Sequence, residues 1–344
     1  MMFKTLHKKS LFSFLLTASA AAGLIFFGAE CSQGALRGIY FCTNELVPPL
    51  FPFMALSIFT AKRGISLGKA FARLMKAVFG FSQPLTPVIL LSMTGGYPVG
   101  AKGISALRES NAISRREAEL ASYVLVGAGP GFLINFVGAE LLGSREIGII
   151  MLVSQICSII ILGIVNKLIF VRKNYNSDTE IKSAPLPFFQ ALTEAVTGAA
   201  YGMLEMCAMV VAFSALLEVV RKPLGVTAEI LLEVTGACST LSQSANVSAI
   251  AFAAGFGGIC VHFQIFAALK GINIKKGLFF LYRIIQGLLT TGLTFVLLKT
   301  FDVSVPVFSS ISQQPQLGLS VPLLGSVMLI LCAAGFLYSV KYNK

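Results

Sequence analysis

Apolar blocks about 20 residues long constrain this chain more than any other feature of its sequence. A block of that length spans the ~30 Å hydrocarbon layer of a bilayer as a helix. Eight blocks qualify, at about Leu11–Gly28, Gly38–Ala61, Glu119–Leu142, Ile147–Phe170, Phe188–Val220, Asn246–Leu269, Gly277–Leu298 and Leu319–Val340. Two further blocks, Leu85–Leu107 and Ala228–Ser244, are broken by glycine and small polar residues. Hydrophobic residues make up 56% of the chain and charged residues 12%, too little charge to cover a soluble surface of this size. The expected fold class is an all-α polytopic membrane protein with about eight spans plus two re-entrant, Gly-rich hairpins.

The net charge of +12 fits the positive-inside bias better than a nucleic-acid footprint. With the N-terminus in the cytoplasm, 22 of the 27 Lys and Arg residues fall inside, in clusters such as Lys62–Lys76, Lys102–Arg116, Lys167–Lys182 and Lys270–Arg283. Only Arg37, Arg145, Arg221, Lys222 and Lys299 fall outside. The sorting holds only if each broken block enters and leaves on the same side. Both termini are then cytoplasmic. The basic start and the small residues Ala18–Ala22 resemble a secretory signal, but the first block reads as an uncleaved span. The seven cysteines lie mostly in apolar blocks, without metal-ligand spacing.

The two halves of the chain resemble each other. Leu90-Leu91-Ser92-Met93-Thr94-Gly95 reads like Leu231-Leu232-Glu233-Val234-Thr235-Gly236, Gly129-Pro130-Gly131 like Gly255-Phe256-Gly257, and Glu45 with Phe53 like Glu205 with Phe213. In the charge-sorted topology the two units run antiparallel. That is the inverted-topology repeat of secondary transporters, whose site lies at the repeat interface near the midplane. Repeat 1 covers about 38–142, a cytoplasmic linker 172–187, repeat 2 about 188–270, and C-terminal spans 277–340.

The broken segments are the candidate site. In Thr94-Gly95-Gly96-Tyr97-Pro98, two glycines and a proline interrupt a helix at membrane depth. Irregular backbone survives there only in protein or beside a watery cavity. A helix restarting after Pro98 turns its free N–H groups toward an anion, and Lys102 adds a full charge about one turn on. Thr235, Gly236, Ser239, Ser242 and Gln243 offer hydroxyl and amide groups in the second segment. Gly129-Pro130-Gly131 breaks another helix, with Asn135 a turn later; its counterpart is followed by His262 and Gln264. Of the buried acids, Glu205 is the foremost candidate for a coupling or structural carboxylate, with a proton or sodium as coupling ion. His262 is a candidate proton carrier. No P-loop, HExxH, GxSxG or Cys/His cluster occurs, so neither enzyme activity nor a cofactor is expected.

The strings Gly96-Tyr97-Pro98-Val99-Gly100-Ala101-Lys102, Gly129-Pro130-Gly131-Phe132 and Glu45-Leu46-Val47-Pro48-Pro49-Leu50-Phe51-Pro52-Phe53 resemble the YlbJ-type (SpoVV) sporulation integral membrane proteins. These are similar to concentrative nucleoside transporters and fall in the nucleoside-recognition, or Gate, superfamily. The resemblance covers about Leu11 to Val340. It implies a transporter of a small organic anion, namely dipicolinate, in the outer forespore membrane of a spore-forming bacterium. A nucleoside-like substrate, or a membrane scaffold or sensor in spore assembly, are the competing readings. The expected partners are the anion and the lipid bilayer, with no nucleic acid; a homo-oligomer stays open.

Overall fold

The computed structural model describes residue 23 and residues 25–65, 67–171 and 185–303. Most of the first apolar block, most of the 172–187 linker, the external loop beyond Val303, the last block Leu319–Val340 and both termini lie outside the described residues. Every regular element among the described residues is helical.

The first half opens with α1 (Gly28–Phe41), which runs through a π-turn at Cys42–Leu46 into α2 (Val47–Arg63). The short amphipathic α3 (Lys69–Phe79) follows, then α4 (Leu85–Gly95) and α5 (Tyr97–Glu109), joined at Gly96. Next come α6 (Arg115–Val124), a non-helical stretch, α7 (Gly131–Leu141, wound as a π-helix) and α8 (Arg145–Asn166). The second half holds α9 (Phe188–Leu232), α10 (Val234–Ser242), α11 (Val247–Phe256), α12 (Gly258–Ala268) and α13 (Lys276–Thr300). The 45-residue α9 is really two helices, because Gly225 leaves the helical region at φ 58°, ψ −151°.

Local chemistry sets many of these ends. Ser114 and Asn246 cap α6 and α11 by accepting from the N–H of Glu117 and Ala249 at 3.1 and 3.0 Å. Gly64 and Gly80 close α2 and α3 in the left-handed region.

Among the described residues, four helices are long and apolar enough to cross a membrane: Arg145–Phe170, Phe188–Arg221, Val247–Ala268 and Lys276–Thr300. The expected span Glu119–Leu142 is instead divided between α6 and α7, and Gly38–Ala61 carries the π-turn. Small residues set the closest helix contacts, as they do where lipid removes the hydrophobic drive. A Cβ at Gly38 of α1 would lie 2.8 Å from Val211 Cα of α9, and one at Gly255 of α11 would lie 2.8 Å from Gly287 Cα of α13.

Where α8 meets α13 the interface is polar. Ser158 and Thr290 share a hydrogen bond of 2.9 Å, and Tyr282 donates to Asn166 at 2.9 Å. Arg283, which charge sorting groups with the cytoplasmic cluster, is fully buried here. A charged residue near a span end looks the same in sequence whether it faces water or a neighbouring helix.

Candidate functional site

Four interruptions in helices meet at one place. The α4–α5 join at Gly96 takes φ 96°, which favours glycine. It is pressed against the stretch between α6 and α7: a Cβ at Gly129 would lie 3.0 Å from Gly96 N. The α9–α10 join at Glu233 is pressed against the break between α11 and α12, where a Cβ at Gly258 would lie 3.2 Å from Glu233 N. A third link crosses between the halves. The Tyr97 hydroxyl donates to the Ala254 carbonyl of α11, and a Cβ at Gly257 would sit 3.4 Å from the Tyr97 ring.

The carbonyls released by these interruptions are satisfied by named side chains, as hydrocarbon requires. Arg283 donates to the carbonyls of Tyr123 and Val126 at 2.7 and 2.8 Å, and Gln286 joins it on Val126 at 3.0 Å. Gln155 donates to Ala128 O at 2.9 Å. In the second half, His262 Nε2 lies 2.9 Å from Phe256 O. His262 is thereby enclosed, edge-on to the rings of Phe256, Phe279 and Phe280.

A cavity opens at the junction, with about 640 Å³ of empty space when its mouth is included. Its wall takes in Thr94, Gly95, Gly96, Tyr97 and Pro98 from the first join, Gly129 and Gly131 from the first break, and Glu233, Val234 and Thr235 from the second join. Val261 and Gln264 of α12, Met206 and Val210 of α9, and Glu45, Leu46, Pro49, Leu50, Phe53 and Phe132 complete it. Polar groups thus converge in a mostly apolar concavity, the general form of a small-molecule site.

Other residues expected at the site lie elsewhere. Lys102 pairs with Glu205 at 2.9 Å, and neither lines the cavity. Pro130 is the residue before α7, and Asn135 is exposed on α7. Gly236 lies in the first turn of α10, where its N–H donates to Glu233. Ser239 and Ser242 bond to each other, Ser242 Oγ donating to Ser239 O at 2.8 Å, and Gln243 is exposed just past the end of α10. None of these six lines the cavity.

The second segment also differs in form from its expected shape. Val234–Ser242 is continuous helix, and the interruption falls at Glu233, which is extended at φ −148°, ψ 118°. The Glu233 carboxylate caps α10 by accepting from the N–H groups of Thr235 and Gly236 at 3.0 and 2.7 Å. Matching Gly95 with Gly236 therefore places the break about one helical turn too late. The missed signal is an acidic residue directly before a run of small and hydroxyl residues, a helix-start pattern. Glu45 was legible as a buried acid but not as part of the site. It stands in the π-turn and lines the cavity. Such turns are frequent at functional positions.

No family model matches the chain, and no solved structure matches it. Among curated proteins, the chain is similar to the "Sporulation integral membrane protein YlbJ" of Bacillus subtilis (strain 168). The two are 23% identical over 317 residues, which cover 78% of this chain and 77% of the relative. The YlbJ-type resemblance carried by the motifs around Glu45, Gly96 and Gly129 stands on this match; the Gate placement rests on the motifs alone. With its long apolar helices, the chain is an integral membrane protein.

Proposed function

We propose that this chain is a membrane transporter of a small organic solute, with the cavity at the four helix interruptions as its solute site. The observation that carries the reading is that both joins and the first break line one cavity, with the second break packed directly behind the Glu233 join. A scaffold or a sensor has no use for backbone interrupted at membrane depth around an open space, and nothing in the reading calls for catalysis. The tip-to-break contact recurs in each half, Gly96 on Gly129 and Glu233 on Gly258. That recurrence supports an inverted repeat in which Leu85–Glu109 and the segment around Glu233 are re-entrant hairpins.

The solute follows from the resemblance. A relative named for sporulation supports a role in spore formation, and dipicolinate, an aromatic dianion, is the solute that the family resemblance implies. A nucleoside-like solute is the second reading, favoured by one observation. Among the described residues, the lining includes Glu45, Glu233, Thr235 and Gln264 and no Lys, Arg or His, which suits sugar hydroxyls. Glu45 also offers a carboxylate to a coupling proton or sodium ion.

The deciding experiment is equilibrium binding to the purified full chain, comparing dipicolinate, a nucleoside and an aliphatic dicarboxylate. Saturable dipicolinate binding, lost on Gly129→Val, is the expected result. Saturable binding of the nucleoside alone moves the assignment to the second reading. Absence of saturable binding of any of the three sinks the solute assignment.

A further inference from the structure

We infer that Arg283 supplies the fixed positive charge that lets this carboxylate-lined cavity accept an anionic solute. The inference rests on the organic-anion reading above and names the residue that makes it electrostatically workable. Arg283 stands near the start of α13 and is fully buried. A buried charge ordinarily has an ionic partner. Among the described residues no carboxylate lies in salt-bridge contact with Arg283; its guanidinium bonds to the backbone carbonyls of Tyr123 and Val126 and stacks against the Phe279 ring at 5.5 Å. Carbonyl dipoles and a ring quadrupole stabilise the guanidinium without cancelling its net charge, and Nε has no hydrogen-bond partner among the described residues.

The position of this charge gives it a use. Val126 lies three residues before Gly129, which lines the cavity; Tyr97, another lining residue, bonds the Ala254 carbonyl, and a Cβ at the next residue, Gly255, would lie 3.0 Å from the Gln286 carbonyl, one turn after Arg283 on α13. Glu45 and Glu233 put up to two negative charges on the wall, and no lining side chain is basic. A dianion entering that wall alone meets repulsion. A net cation just behind it, in a medium less polarisable than water, reaches farther than a surface charge does. Lys102 does not fill this role, since Glu205 neutralises it outside the cavity. A purely structural guanidinium would hold the Tyr123 and Val126 carbonyls without altering the cavity potential.

The potential can be read without any solute. A reporter Thr94→Cys, placed at an exposed lining position in a background lacking the seven native cysteines, is titrated with a negatively and a positively charged methanethiosulfonate of similar size. Arg283→Gln removes the charge. Gln286→Glu keeps the guanidinium and sets a carboxylate one turn away, so the charge is cancelled with the side chain still in place. Arg283→Lys keeps the charge. The expected result is a fall in the anionic-to-cationic rate ratio of on the order of tenfold in the first two variants, with Arg283→Lys close to the parent. An unchanged ratio in Arg283→Gln, or in Gln286→Glu should Arg283→Gln fail to fold, overturns the inference. Dipicolinate binding by the same proteins separates the two claims: a parent that shows the ratio change but binds no dipicolinate retains the Arg283 charge effect and loses the solute assignment.

Discussion

At the scale of single residues, the site depends on side chains that are missing as much as on those present. Gly129 and Gly96 approach closely because neither carries a Cβ; one at Gly129 would sit 3.0 Å from backbone nitrogen that has no room to retreat. Gly129→Val should therefore push the first join off the break, lowering solute affinity tenfold or more while membrane insertion stays normal. Binding and a protease-protection assay on the same preparation check this; wild-type affinity would remove the contact from the site. Tyr97→Phe deletes the hydroxyl that bonds Ala254 O between the halves. Its expected cost is about 0.5–1.5 kcal/mol of stability, read as a lowered melting temperature in detergent. Lys102→Gln breaks the ion pair with Glu205 and leaves that carboxylate unpaired on a helix long and apolar enough to cross the membrane, so it should lower the melting temperature in detergent. With Lys102 off the cavity, it should also change charged and neutral solute binding alike, which paired affinity measurements would reveal.

At the scale of elements, the helix joins are held by two different devices. The first uses the backbone freedom of Gly96, and α5 starts without a side-chain cap. The second uses Glu233, whose carboxylate takes up the first free N–H groups of α10. Removing that cap by Glu233→Ala should cost about 0.5–2 kcal/mol, whereas Glu233→Gln retains an acceptor oxygen and should cost less than Ala. Equal destabilisation by both would mean that the charge, and not the cap, holds the join. The first break is fixed from outside itself: the α6–α7 stretch is held by Arg283 and Gln286 of α13 and Gln155 of α8, so these spans act as splints for the wall of the cavity.

At the scale of the whole molecule, the expected orientation comes from charge sorting in the sequence. It places position 178 in the cytoplasm and position 302 on the far side. An impermeant maleimide added to intact cells should label Asp302→Cys and leave Asp178→Cys unmodified until the membrane is opened; labelling of Asp178→Cys from outside would invert the topology. Ion pairs among the described residues fall at both ends of the spans. Lys62 pairs with Glu194 at 3.0 Å in the half assigned to the cytoplasm, and Arg221 with Glu229 at 2.7 Å in the half assigned to the far side.

The membrane character, the helical class and the location of the first join were legible in the sequence because they arise from local causes. A run of 20 apolar residues partitions as a unit, and nothing distant restores the N–H that Pro98 lacks or widens the conformational range that Gly95 and Gly96 supply. Around Gly96 and Gly129, accordingly, Thr94, Gly95, Gly96, Tyr97, Pro98, Gly129 and Gly131 are both expected residues and cavity wall, while Pro130 is not. The second join was misplaced by a turn because two starts were locally acceptable there, one at Glu233 and one near Gly236; packing against Gly258 accompanies the choice of the former. The fate of each charged group was not legible at all. Lys102 has Glu205 as its partner, Arg283 has the carbonyls of Tyr123 at the end of α6 and of Val126 just beyond it, more than 150 residues away, and Glu45 faces an open cavity. A charge is stabilised by whatever lies within a few ångströms of it, and in a chain whose spans cross the bilayer repeatedly that neighbour is set by how the helices pack, which sequence spacing does not encode.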